Sequence, residues 1–342
     1  MSKKGILLVN LGTPDSPSVE DVQRYLDEFL MDGRVIDMHQ ALRSILVKLI
    51  IVPFRGRKSA KLYGEIWNVE SGSPLMHYSK MQQHLLKLAL GNDYQVELAM
   101  RYQNPSIALA LEKLKRASSI KVIPMFPQYA SATTGSVFQK VMEIVSKWPT
   151  VPNLEFVNSF HDHPRFIKAF ANRGKKHRPE TFDHIVFSFH GLPQMHCLKS
   201  DPTKRHCLKT TDCCRVMNDK NKFCYGAQSY HTARLIACQL NIPESHYTVC
   251  FQSRLGNTPW MQPYASEVIT QLAAEGKKRV LVFCPSFVTD CLETVYEVGV
   301  EYRELFIVAG GEHLELVEGL NQSPLFIETL EQLATAEAIL PY

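Results

Sequence analysis

At 342 residues the chain is long for a single hydrophobic core, so two domains are expected. With 45% hydrophobic and 21% charged residues its composition is that of an ordinary globular protein, and a formal net charge of +4 makes no electrostatic case for nucleic acid. The most apolar helical stretch, Leu42–Phe54 (LRSILVKLIIVPF), is interrupted by Lys48 and falls well short of the ~20 residues a membrane span needs. It is expected to be a buried helix, with contact at a membrane surface or a place in the wall of an apolar cleft as its other roles. The run Ile6–Leu11 is too short for a secretory signal and lacks a small-residue cleavage site, so a cytoplasmic setting is expected, peripheral to the inner membrane if Leu42–Phe54 rests on lipid. In that setting the nine cysteines are reduced thiols or metal ligands.

In chain order, Gly5–Leu11 (GILLVNL) is a continuous apolar run and hence a buried strand, closed by the turn Gly12-Thr13-Pro14. Ser18–Phe29 is a helix with Ser18 as its cap, and Val35–Asp37 is a candidate short strand. Helices follow at Lys58–Trp67 and Ser79–Leu90, the second ending at Gly91. Then come the strand Gln95–Met100, the helix Ser106–Arg116 and the strand Ile120–Phe126. The alternation repeats with helix Ser136–Lys147, strand Leu154–Val157, helix Arg165–Asn172 and the strongly apolar strand His184–His190. It continues through helix Ala227–Leu240, strand Tyr247–Phe251, helix Gln262–Glu275, strand Arg279–Cys284, a candidate strand Leu305–Ala309 and a closing helix Pro324–Ala336. Strands alternating with helices predict an α/β fold of two Rossmann-like lobes, each a parallel four-stranded sheet flanked by helices. The first lobe is expected at 1–130 plus 310–342 and the second at 131–309, with a cysteine-rich insertion at 197–225.

In open α/β sheets ligands gather outside the carboxyl ends of the strands. Two strand ends carry titratable groups there. His190 closes the strand IVFSFH and precedes the turn Gly191-Leu192-Pro193. After Arg279–Cys284 a loop leads to Asp290, a good N-cap, and to a helix on which Glu293, Glu297 and Glu301 recur every four residues along one side. Asp290-x-x-Glu293 also has the spacing of a capping box, and the remaining acids equally suit a solvated face. A histidine and carboxylates facing one cleft suit a divalent metal or proton transfer. A third strand end leads into Pro127–Ser136 (PQYASATTGS), whose hydroxyls suit either an anion or plain helix capping. No Gly-x-Gly-x-x-Gly follows Leu11 and no P-loop is present, so a nucleotide cofactor has no support.

The segment Cys197–Tyr225 is polar, aperiodic and too long for an ordinary loop, yet it holds five of the nine cysteines. Cys207, Cys213, Cys214 and Cys224 fall within eighteen residues, with Cys197 ten positions earlier. Clustered thiolates in a segment without periodicity point to a metal centre that supplies the missing structure. No Cys-x-x-Cys pair of the usual zinc kind occurs; an iron–sulfur cluster tolerates more varied spacing. Lys199, Lys204, Arg205 and Lys209 would offset the charge of an all-thiolate centre.

With these residues placed, the chain resembles the ferrochelatase family. The motifs that carry the resemblance run nearly end to end: LVNLGTP at Leu8–Pro14, GSP at Gly72–Pro74, MRYQNP at Met100–Pro105, PQYASATTGS at Pro127–Ser136, FSFHGLP at Phe187–Pro193, YTVCFQSRLGNTPWMQP at Tyr247–Pro263, and PSFVTDCLETVYEVGVEY at Pro285–Tyr302. The resemblance implies a chelatase-like fold and insertion of Fe2+, a substrate, into protoporphyrin IX to give protohaem. It puts the family's metal-binding histidine on His190 and the opposing carboxylate on Glu293, with Asp290, Glu297 and Glu301 on an acidic helix for proton or metal passage. Arg55, Tyr63, Ser73 and Trp260 match porphyrin-contact positions.

The sequence departs from many members at Cys291, where they carry His, and in having no Cys beyond Cys291. Members with a [2Fe-2S] cluster commonly draw three of its ligands from a C-terminal extension. This chain resembles the smaller bacterial group with internal thiolates, which implies a cluster on Cys207, Cys213, Cys214 and Cys224, with Cys197 as the alternative to one of the adjacent pair. Rival activities are metallation of coproporphyrin III and cobalt insertion in corrin synthesis, and the non-enzyme rival is a haem- or metal-binding protein.

Overall fold

The computed structural model describes residues 2–210, 212–256 and 258–336. Eight strands form two sheets. β1 (Lys4–Gly12), β2 (Tyr94–Tyr102), β3 (Ser119–Pro124) and β4 (Asn153–Phe156) make the first, in the order β2-β1-β3-β4. β5 (His184–His190), β6 (Tyr247–Gln252), β7 (Arg279–Phe283) and β8 (His313–Leu316) make the second, in the order β6-β5-β7-β8. Every pairing is parallel. The two orders are the same, which makes the units topological copies and puts a switch point between β1 and β3 in one and between β5 and β7 in the other.

The strands lie where the apolar runs require them. A parallel strand covered by helices on both faces must be apolar at every position, and six of the seven residues of β5 are buried. The first core joins Leu7 and Val9 of β1 to Ile120 and Val122 of β3 and to Val137 and Val141 of the helix Ser136–Val145. The second joins Val186, Val280 and Val282 to Val268 and Ile269 of the helix Ala265–Ala274 and to Phe306.

The chain divides into two compact units at places that differ from the sequence expectation. The first holds the described residues up to Phe126, then Ser131–Asn158, and those from Ile327 on; the second holds Pro127–Ala130 and Ser159–Phe326. Strand pairing is the reason. β4 hydrogen-bonds to β3, so 131–158 stay with the first sheet rather than opening the second lobe. β8 pairs with β7, so 310–326 belong to the second unit rather than the first. Residues 337–342, assigned by sequence to the first lobe, lie outside the described residues.

Three further expectations are corrected. Val35–Asp37 is a turn. Leu305–Ala309 is not a strand: Arg303–Val308 is helical and continues a π-helix, Glu293–Tyr302. Leu42–Phe54 is helical, with a π-turn at Leu46–Ile51, but it is not buried. Leu42, Ile45, Leu49, Ile50 and Phe54 are all more than half exposed, forming an apolar ridge on the surface of the first unit. No helix among the described residues is long and apolar enough to cross a membrane.

A polar clasp ties the helix Pro164–Lys176 to the segment after β7 in the second unit. His177 Nδ1 lies 2.6 Å from Glu315 Oε1 and its Nε2 lies 2.9 Å from Glu318 Oε2, while Arg173 Nη1 donates to Glu318 Oε1 at 2.7 Å. Burial opposes protonation of His177, but hydrogen bonds to Glu318 and Glu315 and the charges of both outweigh it and raise its pKa. A raised folded-state pKa means that the imidazolium stabilises the fold below the ordinary histidine value of ~6.5 and that this contribution fades as pH rises through the folded value. His177→Ala is therefore expected to cost about 1–2 kcal/mol in denaturant unfolding at pH 6 and clearly less at pH 8.5. An equal loss at both pH values would show that the clasp does not depend on the charge.

Candidate active site

The site grows from the switch point of the second sheet. His190 is the last residue of β5, and its backbone N–H donates to Ser286 Oγ (3.2 Å) in the loop that follows β7. Its ring packs beside Phe287, with centroids 6.3 Å apart. The His190 Nδ1 atom lies 2.6 Å from the Gly191 carbonyl oxygen. A carbonyl only accepts, so Nδ1 carries the proton and Nε2 keeps its lone pair. His190 is thereby set to act as a base or ligand through Nε2. Gly191 is needed next to it, because a Cβ there would fall 2.9 Å from the Gln252 carbonyl oxygen and 3.3 Å from the Trp260 ring.

Gln252 ends β6 directly opposite His190 in the strand register and is buried. Its Oε1 accepts from Ser188 Oγ (2.7 Å), which fixes the amide's orientation, and its Nε2 donates to the Glu293 carbonyl oxygen (2.9 Å) and to Glu297 Oε2 (3.1 Å). One carboxamide therefore links β5, through Ser188, to the acidic helix, all within the second unit. Along the π-helix Glu293–Tyr302, Glu293 and Glu297 are half-buried and Glu301 is exposed, so the acids form a file that runs outward to solvent.

The acids are held differently. The two oxygens of Glu297 accept four hydrogen bonds, from Gln252, from the backbone and hydroxyl of Ser253 (3.0 and 2.5 Å) and from the Tyr302 hydroxyl (2.8 Å). Burial, reinforced by the Glu297 charge, pushes the Tyr302 phenol far above its ordinary value, so it remains a donor. Glu293 accepts from the Cys291 thiol, which burial first and the Glu293 charge second keep protonated. Asp290 is not the N-cap that its position suggests, and no Asp290–Glu293 capping box forms. The π-helix begins at Glu293 with Leu292 as its cap residue. Asp290 Oδ1 accepts from Gly319 N (2.9 Å) and Thr294 Oγ1 (3.2 Å), and its Oδ2 from Asn321 Nδ2 (2.7 Å), clamping the stretch after β8 to the start of the acidic helix.

Of the other site candidates, Trp260 is buried and bridges to Pro193 beside the His190 turn. Arg55, Tyr63 and Ser73 belong to the first unit. Arg55 is exposed on the helix Val52–Ile66. Tyr63 is buried edge-on to Tyr25 and Trp67. Ser73 caps the helix Pro74–Leu90, accepting from Met76 N at 3.2 Å. The first unit also holds a network that sequence reasoning did not single out. Asp32 pairs with Arg101 (2.7 Å), accepts from Tyr102 (2.9 Å) and from Ser136, and receives the Arg34 backbone N–H (2.8 Å). Burial would raise the Asp32 pKa, but Ser136, the Arg34 amide and Arg101 together hold it below the ordinary value. The signal was partly present: Arg101 and Tyr102 lie in MRYQNP, and Ser136 closes PQYASATTGS. Gln252 and Ser253 likewise sit inside a quoted motif, but nothing in one sequence singles them out.

The cysteine-rich segment has no regular structure among the described residues of 201–224. Backbone groups there are satisfied by side chains instead: Asp201 Oδ2 accepts from His206 N and Cys207 N, and Asn221 Nδ2 donates to the Cys213 and Val216 carbonyls. Cys197, Cys207, Cys213 and Cys224 are buried and Cys214 half-buried. Cys224 precedes the helix Tyr225–Gln239, so its sulfur meets the N-terminal amides, including that of Ala227. Hydrogen bonds from the Cys197, Cys207 and Cys214 thiols, chiefly, drive its pKa far below the ordinary thiol range. The same bonds to Cys224, followed by burial, raise those three. Cys197, Cys207 and Cys214 thus each interact with Cys224, and Cys213 Sγ lies 3.8 Å from Cys214 Sγ.

Comparison with known proteins supplies the family. A model of the ferrochelatase family matches residues 3–338. The chain belongs to the ferrochelatase family. Two relatives named ferrochelatase are 41% identical over 335 residues (Legionella pneumophila strain Lens; 98% of this chain and 99% of the relative) and 43% identical over 336 residues (Azotobacter vinelandii; 97% and 98%). Among solved structures, SirB from Bacillus subtilis with Fe3+ matches with a TM-score of 0.51 at 15% identity, covering 97% of this chain and 96% of that one, and so shares the chelatase-like fold. As a ferrochelatase-family enzyme the chain has porphyrin metallation as its chemistry.

Proposed function

We propose that this chain inserts Fe2+ into protoporphyrin IX to form protohaem, with His190 Nε2 as the base that takes pyrrole protons and Glu293 as the carboxylate that balances the incoming cation. The observation that carries this reading is the hydrogen bond from His190 Nδ1 to the Gly191 carbonyl. It leaves Nε2 as the lone-pair nitrogen, and it stabilises the imidazolium that forms when that nitrogen is protonated. Two pyrrole N–H protons must leave as Fe2+ enters, so charge is conserved at the macrocycle only if acceptors stand ready. Glu293 and Glu301 are the outward steps for those protons. Glu297, whose oxygens accept from four donors, anchors the acidic helix to β6 and Ser253 instead. Arg55, Tyr63, Ser73 and Trp260 are proposed porphyrin contacts on the strength of the family motifs, and Asp290 positions the acidic helix.

We further propose that the cysteine-rich segment holds a [2Fe-2S] cluster on Cys197, Cys207, Cys214 and Cys224. What supports Cys197 over Cys213 is that Cys197, Cys207 and Cys214 each direct a thiol at Cys224. Gly226 leaves room for the group, since a Cβ there would lie 3.0 Å from Cys214 Sγ. Such a group, when bound, cross-links the segment and supplies a one-electron couple. Finally, the exposed ridge Leu42–Phe54, flanked by Arg43, Lys48, Arg55, Arg57 and Lys58, is proposed to rest on an anionic lipid surface from the cytoplasmic side.

His190→Ala is expected to lower iron insertion by roughly 10²–10⁴-fold while porphyrin absorbance still shifts on binding. Near-normal turnover would remove His190 from the chemistry, and parallel assays with coproporphyrin III and with Co2+ separate the substrate alternatives. Cys224→Ser should yield colourless protein and Cys213→Ser coloured protein; a bleached Cys213→Ser variant would restore Cys213 to the ligand set. In sedimentation with vesicles containing phosphatidylserine, the double change Leu49→Glu and Phe54→Glu should release the protein to the supernatant, and unchanged pelleting would sink the lipid assignment.

A further inference from the structure

We propose that His161, Asp162 and His231 form a separate divalent metal site in the second unit, suited to Zn2+. None of the three lies in a motif that carries the family resemblance. His161 and Asp162 belong to the short segment before the helix Pro164–Lys176, and His231 to the helix Tyr225–Gln239. One ligand atom from each lies within 4.8 Å of the others.

The spacing fits a metal better than a hydrogen bond. His161 Nε2 and His231 Nδ1 are 3.3 Å apart, with ring centroids at 5.4 Å. An N–H donor bond usually closes to about 2.9–3.0 Å. Two nitrogens each about 2.0–2.1 Å from a tetrahedral zinc stand about 3.3–3.4 Å apart, so the imidazoles already have the required bite. His161 is only 6% exposed, and its Nδ1 has no hydrogen-bond partner; Asp162 Oδ1 is 3.8 Å from that atom. The Asp162 side chain is 55% exposed and offers an oxygen within 4.8 Å of a ligand nitrogen on each ring, so it can turn to the cation and bring it negative charge. Arg234, the nearest cation acting on His231, is turned to the Arg215 carbonyl at 2.6 Å.

The choice of metal follows from the donors. Two imidazoles and one carboxylate favour zinc among the common divalent ions, because magnesium and calcium take oxygen ligands. Three protein ligands leave a fourth position to water. The site is preorganised: Thr232 Oγ1 donates to the His161 carbonyl at 2.8 Å, holding segment and helix in register before any metal arrives. A bound ion would staple that segment to the helix whose first turn starts at Cys224.

Full-length protein, treated with a chelator and then equilibrated with micromolar Zn2+, tests this by metal content and thermal unfolding. Wild type is expected to retain one more equivalent of Zn2+ than His231→Ala, and its Tm should rise with Zn2+ by several degrees that the variant lacks. Asp162→Asn, at an exposed position, should weaken that equivalent by at least about tenfold and keeps the test valid if His231→Ala folds poorly. Equal zinc content and equal Tm shifts in wild type and Asp162→Asn would overturn the site. His190 is unchanged in every protein compared, so the outcome is independent of the iron-insertion reading.

Discussion

The buried carboxamide of Gln252 is the constraint on which the active region rests. A neutral amide inside a protein must have both ends satisfied, and here each end has a different strand or helix to serve. Ser188 on β5 fixes the oxygen, which forces the nitrogen toward the acidic helix, where it holds a backbone carbonyl and a carboxylate at once. Because Gln252 pairs with His190 in the parallel register, the strand ladder and the side-chain network specify the same placement. Rotating that amide would put oxygen against oxygen at Glu297, so the arrangement has one orientation.

Around this point the unit separates groups that stay fixed from groups that can exchange protons. Glu297 and Asp290 carry four and three hydrogen bonds and are held in place by the donors around them. His190 has one nitrogen committed and one not. The division explains why a chain can keep several carboxylates close together without raising the energy of all of them: most are neutralised by local donors, and mobile charge is confined to few positions.

How much of this was legible in the sequence varied with the range of the determining interaction. Strands β1, β5 and β7 declared themselves, because runs dominated by apolar residues (ILLV, IVFSF and VLVF) fit a strand covered on both faces. Leu305–Ala309 is apolar for a different reason: it is the end of a helix that buries Phe306 and leaves Ile307 and Val308 exposed, and a short apolar run does not distinguish the two. The true edge strand, His313–Leu316, alternates polar and apolar and has only one partner, so it left a faint trace. The ridge at Leu42–Phe54 was legible as apolar but not as exposed, since composition says nothing about what covers a face. Among the cysteines, clustering was visible, whereas the direction of each thiol depends on side-chain bonds such as those of Asp201 and Asn221. His161 and His231 stand 70 positions apart, and only the folded chain brings them together.

The winding of Glu293–Tyr302 has a consequence of a different kind. A π-helix accommodates one residue more per turn than hydrogen bonding of the ordinary helix allows, and loss of a single residue would let it relax to α. Each residue of an α-helix turns the chain by about 100°. Seven α-helical steps bring the chain back to within about 20° of its starting direction, so with one residue removed between Glu293 and Glu301 the outer acid would still face the side of Glu293. Alignment along this stretch thus depends on length and winding together: a change in the number of residues keeps the acids in file only if the winding changes with it.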